Sequence, residues 1–182
     1  MNSYNMSERM QWSDGKAQKL DVRKILIEQI PACIDVKRAN EKEDRSGTDW
    51  WAIRREPLRP LSVDLKARQT DPTKDLAKPK DDLALETWSV IPANGNQGKV
   101  GWTRDEKKST DYILWLFDST SRWVLIPFHM LCKIFKLKWE AWRMVYQTNQ
   151  QDSGSWKSEC VFVPRREIWA ELYKHFGGSP NG

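Results

Sequence analysis

The sequence predicts an α/β (α+β) chain with a central mixed sheet flanked by helices, and three observations carry that prediction. An early apolar pattern has helical spacing, several short alternating runs rich in β-branched and aromatic residues follow, and a helical pattern returns near the end. The 182 residues suffice for one core, and 39% hydrophobic with 30% charged residues lies outside the disordered regime. A single domain over residues 14–176 is expected, after a loose polar arm (1–13) and before a short tail (177–182).

From Asp14 to Ile30 the residues Ala17, Leu20, Ile25, Ile27 and Ile30 are spaced closer to a helix than to a strand. Ser13 or Asp14 is placed to cap its start and Pro31 to stop it. Ala32–Val36 reads as a short strand, and the charged run Lys37–Arg45 with Ser46-Gly47 as a solvated turn. Thr48–Arg54 and Leu61–Ala67 read as strands around a turn bracketed by Pro57 and Pro60, so the three strands form an antiparallel meander. Thr70–Asp82, rich in Asp, Lys and Pro, reads as an exposed loop, Leu83–Val90 as a strand, and Thr103–Ser109 as holding a helical turn.

Asp111–Phe117 and Arg122–Phe128, separated by Asp118-Ser119-Thr120-Ser121, give the clearest hairpin signal in the chain. His129–Lys136 predicts a short helix, Trp139–Tyr146 carries a weaker helical pattern, and Glu159–Val163 reads as a strand. Arg165–Phe176 predicts a final helix closed by Gly177-Gly178.

Composition narrows the function classes. No apolar stretch is long enough to span a bilayer and the first residues lack a secretory pattern, so a cytoplasmic protein with no membrane partner is expected. Cys33, Cys132 and Cys160 are far apart with apolar neighbours, which predicts free thiols rather than a disulfide frame or a zinc site. A net charge of +5 and a pI of about 9.1 suit a polyanionic partner. Most of the eleven tryptophans, Trp139 and Trp142 among them, are expected in the core.

In the strand Leu61–Ala67 the two-residue period sends Asp64 and Lys66 to one face and Val63 and Leu65 to the other. Asp49 lies in the preceding strand, where the reversal at Arg55–Pro60 brings it toward Asp64. Two carboxylates can hold a hard divalent cation such as Mg²⁺ (or Mn²⁺), which polarises a phosphoryl oxygen and acidifies an attacking water. A nearby ammonium orients that water or stabilises the charge of the transition state. The bland alternative is a surface ion pair between Asp64 and Lys66, with Asp49 capping a turn at Gly47.

Asp49 followed by Asp64-x-Lys66, on consecutive strands after a helix, resembles the PD-(D/E)xK nuclease superfamily. The later strand pair, ending in Trp123-Val124-Leu125-Ile126-Pro127-Phe128, is similar to that of its archaeal Holliday-junction resolvase branch. The resemblance covers roughly residues 14–136. It implies a restriction-endonuclease-like fold and Mg²⁺-dependent hydrolysis of phosphodiester bonds in DNA, with Asp49 and Asp64 as metal ligands and Lys66 as the catalytic ammonium.

The family also places an acid on the first helix, for which Asp21 and Glu28 are both candidates, and Glu86 is a candidate extra metal ligand. Thr48 stands where the family often has proline, and the helix that normally follows the third strand is weak here. Arg54, Arg55 and Arg68, with Arg104, Lys107 and Lys108, are candidate phosphate contacts, and a homodimer is a further candidate assembly. The competing expectation is a catalytically inactive nuclease-like domain, of viral or mobile-element origin, that binds nucleic acid or a protein.

Overall fold

A computed structural model describes residues 21–93 and 95–177. The predicted arm, the start of the first helix with its Ser13 or Asp14 cap, and the tail beyond Gly177 lie outside the described residues. The chain divides into two compact units, one running through Asp71 and resuming over Ser109–Phe128, the other comprising Pro72–Lys108 and the chain from His129.

The first unit holds α1 (Val22–Gln29), β1 (Cys33–Arg38), α2 (Glu41–Arg45), β2 (Trp50–Arg54), β3 (Leu61–Arg68), β6 (Tyr112–Phe117) and β7 (Arg122–Pro127). Its five-stranded sheet has the order β1-β2-β3-β6-β7. The predicted meander is present, since β1 pairs with β2 and β2 with β3 antiparallel. The sheet becomes mixed at β6, which runs parallel to β3 with Asp64 opposite Ile113 and Lys66 opposite Trp115. The predicted hairpin closes it, with β6 and β7 in register from Tyr112↔Pro127 to Phe117↔Arg122.

Asp21 caps α1 by accepting a hydrogen bond from the Lys24 amide at 2.9 Å. Val22, Leu26 and Ile30 form the buried stripe of this segment and share one core with Leu61, Val63 and Leu65 of β3 and Leu114 and Leu116 of β6. Strand alternation therefore puts Ser62, Asp64, Lys66 and Arg68 on the face of β3 turned away from that core.

Asp111 fixes where β3 and β6 meet. Its carboxylate accepts hydrogen bonds from the Ser62 amide at 2.8 Å, the Ser62 hydroxyl at 3.0 Å and both terminal nitrogens of Arg59 at 3.0 and 2.6 Å. Burial opposes this charge, but these bonds outweigh it and hold the carboxyl below its ordinary pKa.

The second unit carries β4 (Asp82–Val90), β5 (Lys99–Val100), α3 (Phe128–Val145), β8 (Thr148–Asp152), β9 (Lys157–Pro164) and α4 (Arg165–Phe176). Its antiparallel sheet has the order β5-β4-β9-β8. Glu159, 2% exposed, ties its elements together. It accepts hydrogen bonds from Arg143 of α3 at 2.6 and 3.0 Å, Thr87 of β4 at 2.8 Å and Gln150 of β8 at 3.2 Å. Burial raises its pKa, yet the bonds together leave it lowered. No helix among the described residues is long and apolar enough to cross a membrane.

Three local expectations are corrected and one strand, β8, carried no expectation. The run Lys37–Arg45 is no simple turn: β1 extends to Arg38, and α2 forms on an Asn40 cap. Asn40 accepts from the Lys42 and Glu43 amides while Glu43 accepts from the Asn40 amide, a reciprocal capping box. The loop from Thr70 begins on an anchor, because the buried Asp71 carboxylate accepts from Arg122 at 2.8 and 2.9 Å and from Thr120 at 2.6 Å. The two expected helical segments after β7 are one continuous helix, α3. The five residues of β8 are all exposed and polar, so no alternation announces a strand that exists by pairing with β9.

Leu26 is fully buried whereas Ile27 is 36% exposed. Leu26→Ala is expected to cost about 2–5 kcal/mol in urea unfolding, and Ile27→Ala less than about 1 kcal/mol.

Candidate functional site

Trp50 of β2 lies opposite Val63 of β3. One step back along β2 and one step forward along β3 come Asp49 and Asp64. The Asp49 amide donates to the Val63 carbonyl at 2.9 Å, and the Asp49 Oδ2 accepts from the Leu65 amide at 2.5 Å. Asp49 is thus stitched to β3 by main chain and side chain, rather than capping a turn at Gly47. Asp49 stands near enough to Asp64 for the two carboxyls to act on each other's charge.

Lys66 reaches both oxygens of Asp64, at 2.9 and 2.8 Å. The side chain of Asp64 is only 5% exposed and that of Lys66 24%, so this is not the exposed surface pair that would carry little energy. Burial, and then the charge of Asp64, push the Asp49 carboxyl up from its ordinary 3.8 to about 7. The Leu65 amide opposes that rise, and the carboxyls of Asp64 and Asp44 add to it.

Asp44 was not among the residues singled out by sequence. It belongs to α2, where its amide donates to the Asn40 carbonyl at 2.9 Å and its carbonyl accepts from Gly47 at 2.8 Å. Gly47, at φ 93°, turns the chain from α2 into β2. Asn40-x-x-Glu43 is a helix-start signal, and one residue beyond Glu43 lies Asp44.

The candidate acids of α1 stand elsewhere. Asp21 is exposed and engaged at its own helix start, and Glu28 is exposed; neither is among the groups acting on Asp49. The core shared by α1 and β3 lies on the face opposite Asp64, which accounts for this. Glu86 belongs to the second unit, where its Oε2 accepts from the Trp102 amide at 2.9 Å and the Ser89 hydroxyl at 2.8 Å.

The basic residues divide similarly. Arg68 shares the Asp64 face of β3, Arg55 is exposed just beyond β2, and Arg54 is turned to its own loop, donating to the Arg59 carbonyl at 2.9 Å. Lys107 and Lys108 flank a turn of the second unit around Asp105. Arg104 is enclosed: its guanidinium lies 4.6 Å from the ring centre of Trp88 and 3.9 Å from that of Trp139, and it donates to the Thr87 carbonyl at 3.1 Å. Burial lowers its pKa. Trp142 is buried as expected, while Trp139 serves as one wall of this stack.

Two outcomes follow. Between pH about 4 and about 7 the folded chain keeps a proton on Asp49 that the unfolded chain has released, so this group makes stability fall as pH rises through that window. Urea unfolding of the metal-free protein is expected to show that component, and Asp49→Asn to remove it; a variant with the parental slope would contradict it. Asp111 and Glu159, whose values are lowered, act with the opposite sign at lower pH.

Arg104→Ala is expected to cost about 1–2 kcal/mol through its lost tryptophan contacts. Urea unfolding of the variant measures that cost, and parental stability would contradict it.

Set against protein-family models, curated proteins and solved structures, the chain matches none of them.

Proposed function

We propose that this chain is a metal-dependent nuclease of the PD-(D/E)xK type that hydrolyses phosphodiester bonds of DNA in the cytoplasm. The observation that carries the reading is that Asp49, bonded to β3 at Val63 and Leu65 on either side of Asp64, is brought next to Asp64, with the Lys66 amine on the same face of β3. The order of helix, three-strand meander and later strand pair follows the resemblance and supports the same reading, while the helix that the family normally has after the third strand is missing among the described residues between β3 and β6. The choice of DNA over RNA rests on the resemblance alone, since a basic net charge suits either polyanion.

The donor set fits a hard divalent cation. Burial first, and the charge of Asp64 second, raise the Asp49 carboxyl to about 7, and a cation bound between the two carboxylates would offset both. Mg²⁺ or Mn²⁺ bound there would supply Lewis acidity toward the phosphoryl group and a more acidic water. Asp49 is held in place by the Leu65 amide, and Asp64 by its position within β3. Lys66, oriented by Asp64, brings a positive charge to the side of the site where negative charge develops on the phosphoryl oxygens. Arg68 on the same face is suited to a neighbouring phosphate.

The test is purified protein with Mg²⁺ or Mn²⁺ on supercoiled, linear, single-stranded and branched DNA. Cleavage of at least one substrate, abolished by EDTA, is expected. Asp64→Asn and Lys66→Met should each slow it by on the order of 10²–10³ or more. Failure of the parent chain to cut any of them would reject the nuclease, and DNA binding that persists without metal would favour the catalytically inactive alternative.

A further inference from the structure

The outermost strands of a sheet expose a row of main-chain donors and acceptors, and such an edge accepts a further strand unless it is short, bent or charged. Of the four edges of the two sheets among the described residues, three carry such a device. β5 is two residues long and meets β4 across a register shift. β1 is irregular between Cys33 and Asp35 and ends in Lys37-Arg38, while β7 starts at Arg122 and ends at Pro127. β8 has none of these: Thr148-Asn149-Gln150-Gln151-Asp152 pairs with β9 without a bulge, contains no proline or lysine, and is exposed at every residue.

We propose that β8 is a self-association edge, pairing antiparallel with β8 of a second copy of this chain so that the two sheets become one continuous sheet. The register follows from the ladder to β9. The Phe162 amide donates to the Gln147 carbonyl at 2.9 Å and the Ser153 amide to the Trp156 carbonyl at 3.0 Å, with one-for-one pairing between them. Asn149 and Gln151 therefore turn their main-chain groups to β9, and Thr148, Gln150 and Asp152 turn theirs outward. A two-fold axis at Gln150 sets Thr148 against Asp152 of the second copy and Gln150 against its own counterpart, and so uses every outward group of the strand. An axis at Asp152 would instead oppose two carboxylates and leave Thr148 without a partner strand residue.

The side chains suit the same register. Thr148 lines a cavity of about 380 Å³ with Trp139, Glu140, Arg143 and Met144 of α3. The Arg143 side chain is 46% exposed although it is paired with Glu159, so a hydroxyl and a guanidinium stand where Asp152 of the second copy arrives. Met144, 88% exposed, adds apolar surface beside them. On the opposite face Asn149 meets Gln151, amide against amide, and no like charges are opposed.

The experiment is sedimentation equilibrium of the full chain over a concentration series, with amide exchange followed residue by residue by NMR. A concentration-dependent dimer is expected. As it forms, the amides of Thr148, Gln150 and Asp152 should gain protection, while those of Asn149 and Gln151, already bonded to β9, change little. Asn149→Lys combined with Gln151→Lys sets lysine against lysine across the axis and should weaken the dimer more than about tenfold. Asn149→Lys combined with Gln151→Glu changes the same exposed positions but opposes unlike charges, and should hold the dimer at parental affinity or tighter. A chain that stays monomeric at every concentration overturns the proposal. So does a dimer that the two lysines leave intact, one that the lysine–glutamate pair fails to preserve, or one that forms without protecting the three outward amides.

Discussion

Two carboxyls brought together at the end of an antiparallel strand pair repel each other, and burial increases the cost because water no longer screens them. The fold bears that cost at Asp49 and Asp64. A main-chain amide donates to one carboxyl, an ammonium chelates the other, and the raised pKa of Asp49 keeps its charge off below about pH 7. Unfavourable electrostatics of this kind cluster where chemistry occurs, since a group tuned to change its charge near neutrality can exchange a proton for a cation.

The rest of the first unit keeps that arrangement rigid. The core of α1, β3 and β6 holds one side of the sheet, so β3 cannot slip by one residue without sending Leu65 to the Asp64 face and Asp64 into the core. Asp111 locks the start of the β3–β6 pairing through Ser62, two residues before Asp64, and ties in the preceding turn through Arg59. Asp71 fixes the chain just beyond β3 by its bidentate contact with Arg122 at the start of β7. The motif strand is therefore fastened at both ends by engaged carboxylates, Asp111 partly buried and Asp71 buried.

Much of this was legible because strand period and hydrophobic pattern are local properties. Alternation in Leu61–Ala67 suffices to put Asp64 and Lys66 on one face, and the aromatic runs on either side of Asp118–Ser121 suffice for the β6–β7 hairpin. What escaped depends on contacts made far along the chain. The strand β8 has no apolar face of its own and takes its structure from β9. Arg104 reads as a phosphate-seeking cation until Trp88 and Trp139 enclose it. The acids of α1 look suited to the site by helix order, but only the three-dimensional core reveals that α1 covers the other face of β3. Asp44 was hidden differently: its helix is short and charged throughout, so hydrophobic periodicity is silent, and the capping box is the sole local signal.

The central claim is that the Asp49–Asp64 pair is a divalent-cation site. Crystals grown with Mn²⁺ and measured for its anomalous scattering test it most directly. The account predicts an anomalous peak about 2.0–2.3 Å from carboxylate oxygens of both Asp49 and Asp64, with water completing the shell. Well-ordered crystals with Mn²⁺ absent from that position, or with the ion bound only elsewhere, would contradict it.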